Sequence, residues 1–445
     1  MKTTLLTAIF EHLKQYSWWE LTIFVIGTLS FISILVVLFL PIGNGPEEFT
    51  YSGNSLSASD PGFATMFSET LNVPQRKGQP IEILNNGDEF MTSFLHDIDN
   101  AKESINIMVY IWDSGKMSDE ILQHLDAKLK EGIEVRIMLD AYGAPGATKR
   151  KEFKTFTELG GKTSVFHSFT LAPWDFARDP KRNHRRAIVI DGKIGYTGGM
   201  AVGDEWLGNA SSSKEYRDLM FRTTGQMTND IQGVFAETWG ATTGEILTGN
   251  KFYPEQISSN QNTLTYLPLT STPSPDSLVI QKFILLSIRA AQKNIYITTP
   301  YFIPDQSLND LLIEKAKEGI DVRILVPNKY NDSASVRHAS QYSYQELLKN
   351  GVKIYEYQPT FIHTKTIVID GQWSVIGSAN MDNRSRKLNQ EDVFGVSDKT
   401  FGQALEVTFM GDLKNADQID LAQWKKRGIW QRFLEVFDLK FVKQY

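Results

Sequence analysis

The chain has no cysteine among its 445 residues. Disulfides, thiolate metal sites and a cysteine nucleophile are therefore excluded, while the compartment is left open. It also lacks the excess of positive charge that marks an electrostatic nucleic-acid binder, since the formal net charge is −6. No nucleic-acid partner is expected. Its seven histidines are scattered, with no H-E-x-x-H, no carboxylate cluster at ligand spacing and no glycine-rich nucleotide loop. Neither a metal nor another cofactor is assigned. What remains is an ordinary globular composition with room for two or three domains.

One stretch lacks charge altogether. Leu21 to Leu40 is twenty apolar or small polar residues, about one bilayer crossing at helical rise, with Trp18 and Trp19 just before it. A buried core helix rarely lacks a polar face over five turns. A cleavable signal peptide has a shorter apolar stretch and a small-x-small site, absent here before Pro41. A retained membrane anchor over residues 17–41 is the expectation. Lys2 and Lys14 precede it, and Glu47 and Glu48 follow with no basic residue before Arg76. The positive-inside rule then puts the amino terminus in the cytoplasm and the body outside.

Residues 1–16 have the apolar spacing of an amphipathic helix, with Leu5, Leu6, Ile9, Phe10 and Leu13 on one side. Residues 42–80 are rich in Gly, Ser, Asn and Pro, and read as a tether. A βα pattern starts at Ile81: an apolar run Ile105–Trp112, helical spacing over Lys116–Gly132, and a strand Ile133–Asp140. The order returns at Ile295–Thr299, Leu308–Gly319 and Ile320–Pro327. E-G-I-E-V-R-I-M is echoed by E-G-I-D-V-R-I-L 187 residues later. A duplicated domain follows, with lobes at 81–257 and 277–421 joined by a polar crossover at 258–276. Residues 422–445 read as a basic amphipathic helix, either docked on the body or lying in the headgroup layer of an anionic membrane.

Within the duplication one phrase is written twice. H-R-R-A-I-V-I-D-G-K-I-G-Y-T-G-G runs from His184 to Gly199, and H-T-K-T-I-V-I-D-G-Q-W-S-V-I-G-S-A-N from His363 to Asn380. Each is His, one residue, a cation, four residues, Asp, six residues and a Gly-Gly or Gly-Ser pair. Phe361–Ile369 and Trp373–Ile376 read as paired strands turning at Asp370-Gly371. On a strand His363 and Lys365 share a face, as do His184 and Arg186. Ser378 and Asn380 fall where the return strand ends. An imidazole, a cation and neutral donors on one rim can hold and attack a phosphate ester. The first copy carries Arg186 in place of Lys and Ala201 in place of Asn380. Either phrase alone is consistent with ordinary hairpin chemistry; two in register in a duplicated domain are not. Polar residues follow each hairpin, Tyr216, Arg217 and Asp218 after the first and Asn389 and Glu391 after the second. They read either as exposed charge or as support for the site.

His363, Lys365, Asp370, Gly377-Ser378 and Asn380, with His184, Arg186, Asp191 and Gly198-Gly199, resemble the doubled signature of the phospholipase D superfamily. T-P-Y-F-I-P-D (Thr299–Asp305), Y-E-Y-Q-P (Tyr355–Pro359), M-D-N-R-S (Met381–Ser385) and L-N-Q-E (Leu388–Glu391) resemble its bacterial cardiolipin synthase-like branch. The resemblance covers nearly everything from Ile81 to Gln423. It implies an α/β fold of two mixed-sheet lobes flanked by helices about a pseudo-twofold, behind a transmembrane helix in the bacterial inner membrane. It implies further that one histidine attacks a phosphatidyl donor to form a phosphohistidine while the other protonates the leaving alcohol. With phosphatidylglycerol in both roles the product is cardiolipin. By the resemblance Asp191 and Asp370 support the histidines, Arg186, Lys365, Ser378 and Asn380 bind phosphate, and His184 is the nucleophile. Two rival readings remain open at this point: a phosphodiesterase on the same fold, and a lipid-binding scaffold with a decayed first half-site.

Overall fold

A computed structural model describes residues 15–39, 49–54, 56–167, 181–256, 263–272 and 278–442, with side chains at 34–39 and 441–442 excepted. The expected amphipathic helix at 1–16 lies almost wholly outside the described residues.

The strands are β1 (Arg76–Gly78), β2 (Glu82–Asn85), β3 (Ser104–Met108), β4 (Glu134–Asp140), β5 (Lys162–Phe166), β6 (Ala187–Ile190), β7 (Ile194–Gly198) and β8 (Leu219–Thr224). They continue with β9 (Leu264–Ser271), β10 (Asn294–Thr298), β11 (Asp321–Pro327), β12 (Lys353–Tyr357), β13 (Thr366–Ile369), β14 (Trp373–Gly377), β15 (Glu391–Ser397) and β16 (Ala416–Gln418). Among the described residues they form two sheets. One is seven-stranded, ordered β2-β8-β7-β6-β3-β4-β5, and the other is nine-stranded, ordered β1-β9-β15-β14-β13-β10-β11-β12-β16.

The two sheets repeat one plan. β3 pairs parallel with β4, and β10 with β11, each through a helix of the expected kind (Lys116–Lys130 and Gln306–Lys317). Met117, Ile121, Leu122 and Leu125 form the buried stripe of the first helix, at the three- and four-residue spacing that one helical face requires. The central strands are buried on both faces, as the unbroken β-branched runs I-V-I demand. β6 and β7, and β13 and β14, are antiparallel hairpins. Their turns place Asp191 and Gly192 at φ of 52° and 63°, and Asp370 and Gly371 at 54° and 60°. Two successive positive φ values are the type I′ pattern, which Asp-Gly tolerates best. The sheets share one apolar core, in which Met108, Val189 and Phe221 of the first meet Leu325, Val368 and Phe394 of the second.

Four expectations need correction. The tether at 42–80 contains a helix, Phe63–Leu71, and strand β1. Phe63 and Phe67 are fully buried, with ring centroids 5.2 and 5.0 Å from Trp373, so a locally polar segment is fixed by its two aromatics. The crossover at 258–276 contains β9, which pairs with β1 and β15 inside the second sheet, because its apolar side chains are covered by both lobes. The strand expected over Phe361–Ile369 begins only at Thr366; His363 and Lys365 precede it, outside the strand. Finally, the apolar segment forms a helix, Trp18–Phe39, but among the described residues no helix is long and apolar enough to cross a membrane. The described side chains of that segment stop at Ser33.

Candidate active site

The two lobes are stitched together beside each histidine. Asn183 and Gln390 form an isolated parallel bridge, and Arg217 and Ile362 form its counterpart. The His184 amide donates to the Gln390 carbonyl at 2.9 Å, and the Gln390 amide to the Arg182 carbonyl at 2.7 Å. By the same pattern the His363 amide donates to the Arg217 carbonyl at 2.7 Å, and the Arg217 amide to the Phe361 carbonyl at 3.0 Å. Each bridge sets a carboxylate of one lobe next to the histidine of the other. His184 Nδ1 lies 2.9 Å from Glu391 Oε2, and His363 Nδ1 lies 2.7 Å from Asp218 Oδ2.

Both carboxylates are held from behind. Asp218 also accepts from Trp206 Nε1 at 3.0 Å and from the Leu219 amide at 2.8 Å. Gly199 is what admits it, since a Cβ there would come within 2.2 Å of Asp218 Oδ1. At the matching place in the second lobe stands Ser378, whose hydroxyl donates to Glu391 Oε2 at 2.5 Å, while Asn389 Nδ2 donates to Oε1 at 3.2 Å. The difference between Gly-Gly and Gly-Ser thus follows the carboxylate each has to receive. Ser378 is spent on Glu391, not turned to a phosphate as its place in the phrase implied.

The cations lie as their spacing from the histidines requires. Lys365 Nζ is 3.1–3.2 Å from the ring nitrogens of His363 and donates to the His363 carbonyl at 2.8 Å. Arg186 is fully buried: its amide donates to Asp392 Oδ1 at 2.9 Å and its Nη1 to the His184 carbonyl. Its Nε and Nη2 have no hydrogen-bond partner among the described residues. Asn380 Oδ1 is likewise buried without one. Ala201, in the corresponding place, packs into the apolar cluster with Trp112 and Trp206.

Asp191 and Asp370 are not brought to this site. They sit at the hairpin turns, at the far end of a four-residue strand that spans about 13 Å. Asp370 accepts the amides of Gln292, Lys293 and Asn294 at 2.8, 2.8 and 2.9 Å. Asp191 does the same for Lys102, Glu103 and Ser104 at 2.8, 2.7 and 3.0 Å. Each fastens the hairpin to the loop that opens the neighbouring parallel strand. Their expected support of the histidines is corrected accordingly; Asp218 and Glu391 supply it.

Burial drives the electrostatics. It pushes His363 down to about 4, helped by the Lys365 charge, and pushes His184 well below its ordinary value, helped by Arg186 and Lys365. Burial likewise lowers Lys365 to about 7. It raises Glu391 to about 6. For Asp218 burial acts upward, but the charge and hydrogen bond of His363 outweigh it and leave the carboxyl below its ordinary value. Lys365 acts on both histidines, and so does Arg186, so the half-sites form one electrostatic unit. Neutral imidazoles facing ionised carboxylates carry their proton on Nδ1, which leaves the Nε2 lone pair free to attack or to take a proton.

Sequence reasoning missed three contributors. Asp392 holds the Arg186 amide and accepts from Thr197 Oγ1 at 2.6 Å. Its signal was an acidic residue inside the apolar strand E-D-V-F-G-V. Trp206 meets the His363 ring edge-on at 5.4 Å, and Tyr110 meets that of His184 at 5.0 Å. Nothing local singles out these aromatics.

A family model described as "Cardiolipin synthase, PLD-like domain" matches residues 94–233 and again 284–413. The chain is 34% identical over 357 residues to the cardiolipin synthase of Listeria monocytogenes serotype 4a, covering 80% of this chain and 73% of that one. It is 35% identical over 357 residues to that of Staphylococcus aureus strain Mu50, covering 80% and 71%. Among solved structures, the phosphatidylserine synthase of Haemophilus influenzae is similar with a TM-score of 0.64, at 15% identity over 86% of this chain and 99% of that one. The polyphosphate kinase of Porphyromonas gingivalis gives a TM-score of 0.51 at 11% identity, over 89% and 57%. At such identities the structural likeness speaks to fold alone.

The turn assignment gives a test. Asp370→Asn is expected to lower stability by about 1–3 kcal/mol, since an amide oxygen cannot serve three N–H donors as a carboxylate does. Turnover per folded molecule should persist. Chemical denaturation followed by an activity assay at matched folded fraction checks both; a fully folded, inactive variant would restore a catalytic role to Asp370.

Proposed function

The chain belongs to the bacterial cardiolipin synthase-like branch of the phospholipase D superfamily and is an enzyme of that kind, and we propose that it joins two phosphatidylglycerols into cardiolipin with release of glycerol. The observation that carries this reading is the pair of buried histidines, each with Nδ1 tied to a carboxylate of the other lobe, beside cationic donors not fully spent on the protein.

The chemistry follows from the protonation states. Nε2 of one histidine attacks phosphorus; an N–P bond forms as the P–O bond to the headgroup glycerol breaks. The other histidine gives the departing alkoxide its proton. A hydroxyl of a second phosphatidylglycerol, deprotonated by that same histidine, then attacks phosphorus, and the N–P bond breaks. Arg186 and Lys365 neutralise the non-bridging oxygens throughout, with Asn380 beside them.

We assign the nucleophile to His184 and the acid–base role to His363. Asp218, the more acidic of the two carboxylates, is the better partner for an imidazolium that forms and disappears in each cycle. Anionic substrate offsets the cations that depress His363, which lets it hold the proton it must donate. We further propose attachment to the bacterial cell membrane, supported by the exposure of Trp18, Trp19, Ile23 and Phe24 on the helix Trp18–Phe39.

Purified protein given phosphatidylglycerol in detergent should form cardiolipin and glycerol in equal amounts. His184→Ala should abolish this and the acid-labile phosphatidyl-enzyme adduct. Phosphatidic acid as the only product would replace the synthase reading with a hydrolase. The pH dependence is a second test. The nucleophile His184 attacks from the neutral form and is depressed by its burial, so the acid limb of kcat/KM should lie below the ordinary histidine value of about 6.5. Lys365, lowered to about 7, loses its charge as pH rises, so activity should decline above about pH 7. Lys365→Arg should remove that alkaline limb, and an unchanged limb would assign it to another group.

A further inference from the structure

The last helix of the described chain, Ile429–Val442, is mounted inside out. Its acidic residues face the protein: Glu435 and Asp438 are buried, at 2% and 8% exposure. Glu435 is gripped by Arg427 at 2.6 and 2.9 Å, and Asp438 by His338 Nδ1 at 2.7 Å, on the helix Ala334–Lys349. Among the described side chains, its aromatic residues and part of its aliphatic ones face away. Ile429, Trp430, Phe433 and Phe437 are 81%, 76%, 54% and 56% exposed, with Val436 among them. Their rings form a ladder: Trp430 meets Phe433 edge-on at 6.0 Å, and Phe433 stacks on Phe437 at 5.9 Å.

A helix settling on its own body turns its apolar stripe inward, because that burial is the larger gain. Here the Asp438–His338 hydrogen bond, and Arg427, which holds Glu435 while donating to Gln345 of the helix Ala334–Lys349 at 3.0 Å, keep the opposite face inward, so the aromatic stripe is presented by construction. Bordering it are the exposed cations Lys425, Lys426, Arg432 and Lys440. An aromatic ridge fringed by lysine and arginine complements an interface that is apolar below and anionic above. A second copy of the chain would bring the same cations against each other, which disfavours self-association on this face.

We propose that this helix face docks on the surface of an anionic lipid bilayer, its aromatics immersed at the level of the headgroups and its cations paired with lipid phosphates. The choice of lipid as partner rests on the substrate class proposed above; the inverted mounting of the helix does not. Such a contact would hold the body close to the layer that supplies its substrate, independently of the amino-terminal segment.

The absence of native cysteine makes the test direct. Full-length Phe433→Cys carrying a nitroxide is reconstituted into vesicles of phosphatidylcholine with or without phosphatidylglycerol, and its collisions with oxygen and with an aqueous nickel chelate are compared. In the anionic vesicles the label should gain oxygen and lose chelate collisions, and Lys425→Glu with Lys426→Glu should reverse the change. A label that stays accessible to the chelate in anionic vesicles overturns the proposal. So does spin–spin broadening that appears without lipid, which would put a second copy on this face. Cardiolipin formation in detergent, measured on the same protein, separates the two readings. Turnover with a water-exposed label removes only the docking face; an immersed label without turnover removes only the synthase.

Discussion

Everything at this site depends on one crossed arrangement, in which each imidazole is fixed by a carboxylate from the opposite lobe. A neutral histidine facing a buried carboxylate contributes about 1.5–3 kcal/mol as a charge-assisted hydrogen bond, more than a typical neutral pair. Neither lobe can make that bond alone. The reciprocal backbone bridges beside His184 and His363 bring the carboxylates to the rings, and Arg217, which contributes to one bridge, is itself locked to Asp412 of the second lobe at 2.8 Å. The apolar core shared by the two sheets keeps the bridges in register. Separating the lobes by even a small rotation would strand four buried polar groups, which is why the duplication and the paired histidines are inseparable in this molecule.

The halves are alike but unequal, and the inequalities are compensated locally. Glu391 is longer than Asp218, and Ser378 and Asn389 take up the extra length. Gly199 stands where Ser378 does because Asp218 needs the space. Arg186 replaces Lys, and Asp392 anchors its backbone. Ala201 replaces Asn because that position belongs to the apolar packing around Trp206. The first half-site is therefore differently built, not decayed. Its consequence is electrostatic: Asp218 ends up the stronger acid and Glu391 the weaker, so the two histidines are unequal before any substrate arrives.

Much of this was legible before any coordinates, and the failures have a common cause. The hairpins could be read because Asp-Gly between β-branched runs is a local instruction, and the repeat because E-G-I-E-V-R and E-G-I-D-V-R share their period with the histidine phrases. The roles within the phrase were not local. Asp191 and Asp370 looked like partners of the histidines from their place in the motif, yet an extended chain carries them a strand's length away. Glu391 and Asp218 could be read either as exposed charge or as support for the site, since the contact that decides between the two spans 207 and 145 residues. The same blindness hid β9 and the helix Phe63–Leu71. Their flanks are polar, and only the tertiary partners of Tyr266, Phe63 and Phe67 decide that they are ordered. The basic amphipathic character of the terminal helix was visible in its spacing. That its acidic residues point inward was not, because Arg427 and His338 had first to be placed.

The central claim, that each histidine is oriented by the other lobe's carboxylate, is tested most directly by nitrogen NMR of the protein labelled at its seven histidines. The account predicts that at pH 7 both His184 and His363 are neutral with the proton on Nδ1. It predicts further that Asp218→Asn perturbs the His363 resonance and Glu391→Gln that of His184, while Asp191→Asn and Asp370→Asn disturb neither. Histidines protonated on Nε2, or signals that answer to the turn aspartates and not to the crossed carboxylates, would contradict it.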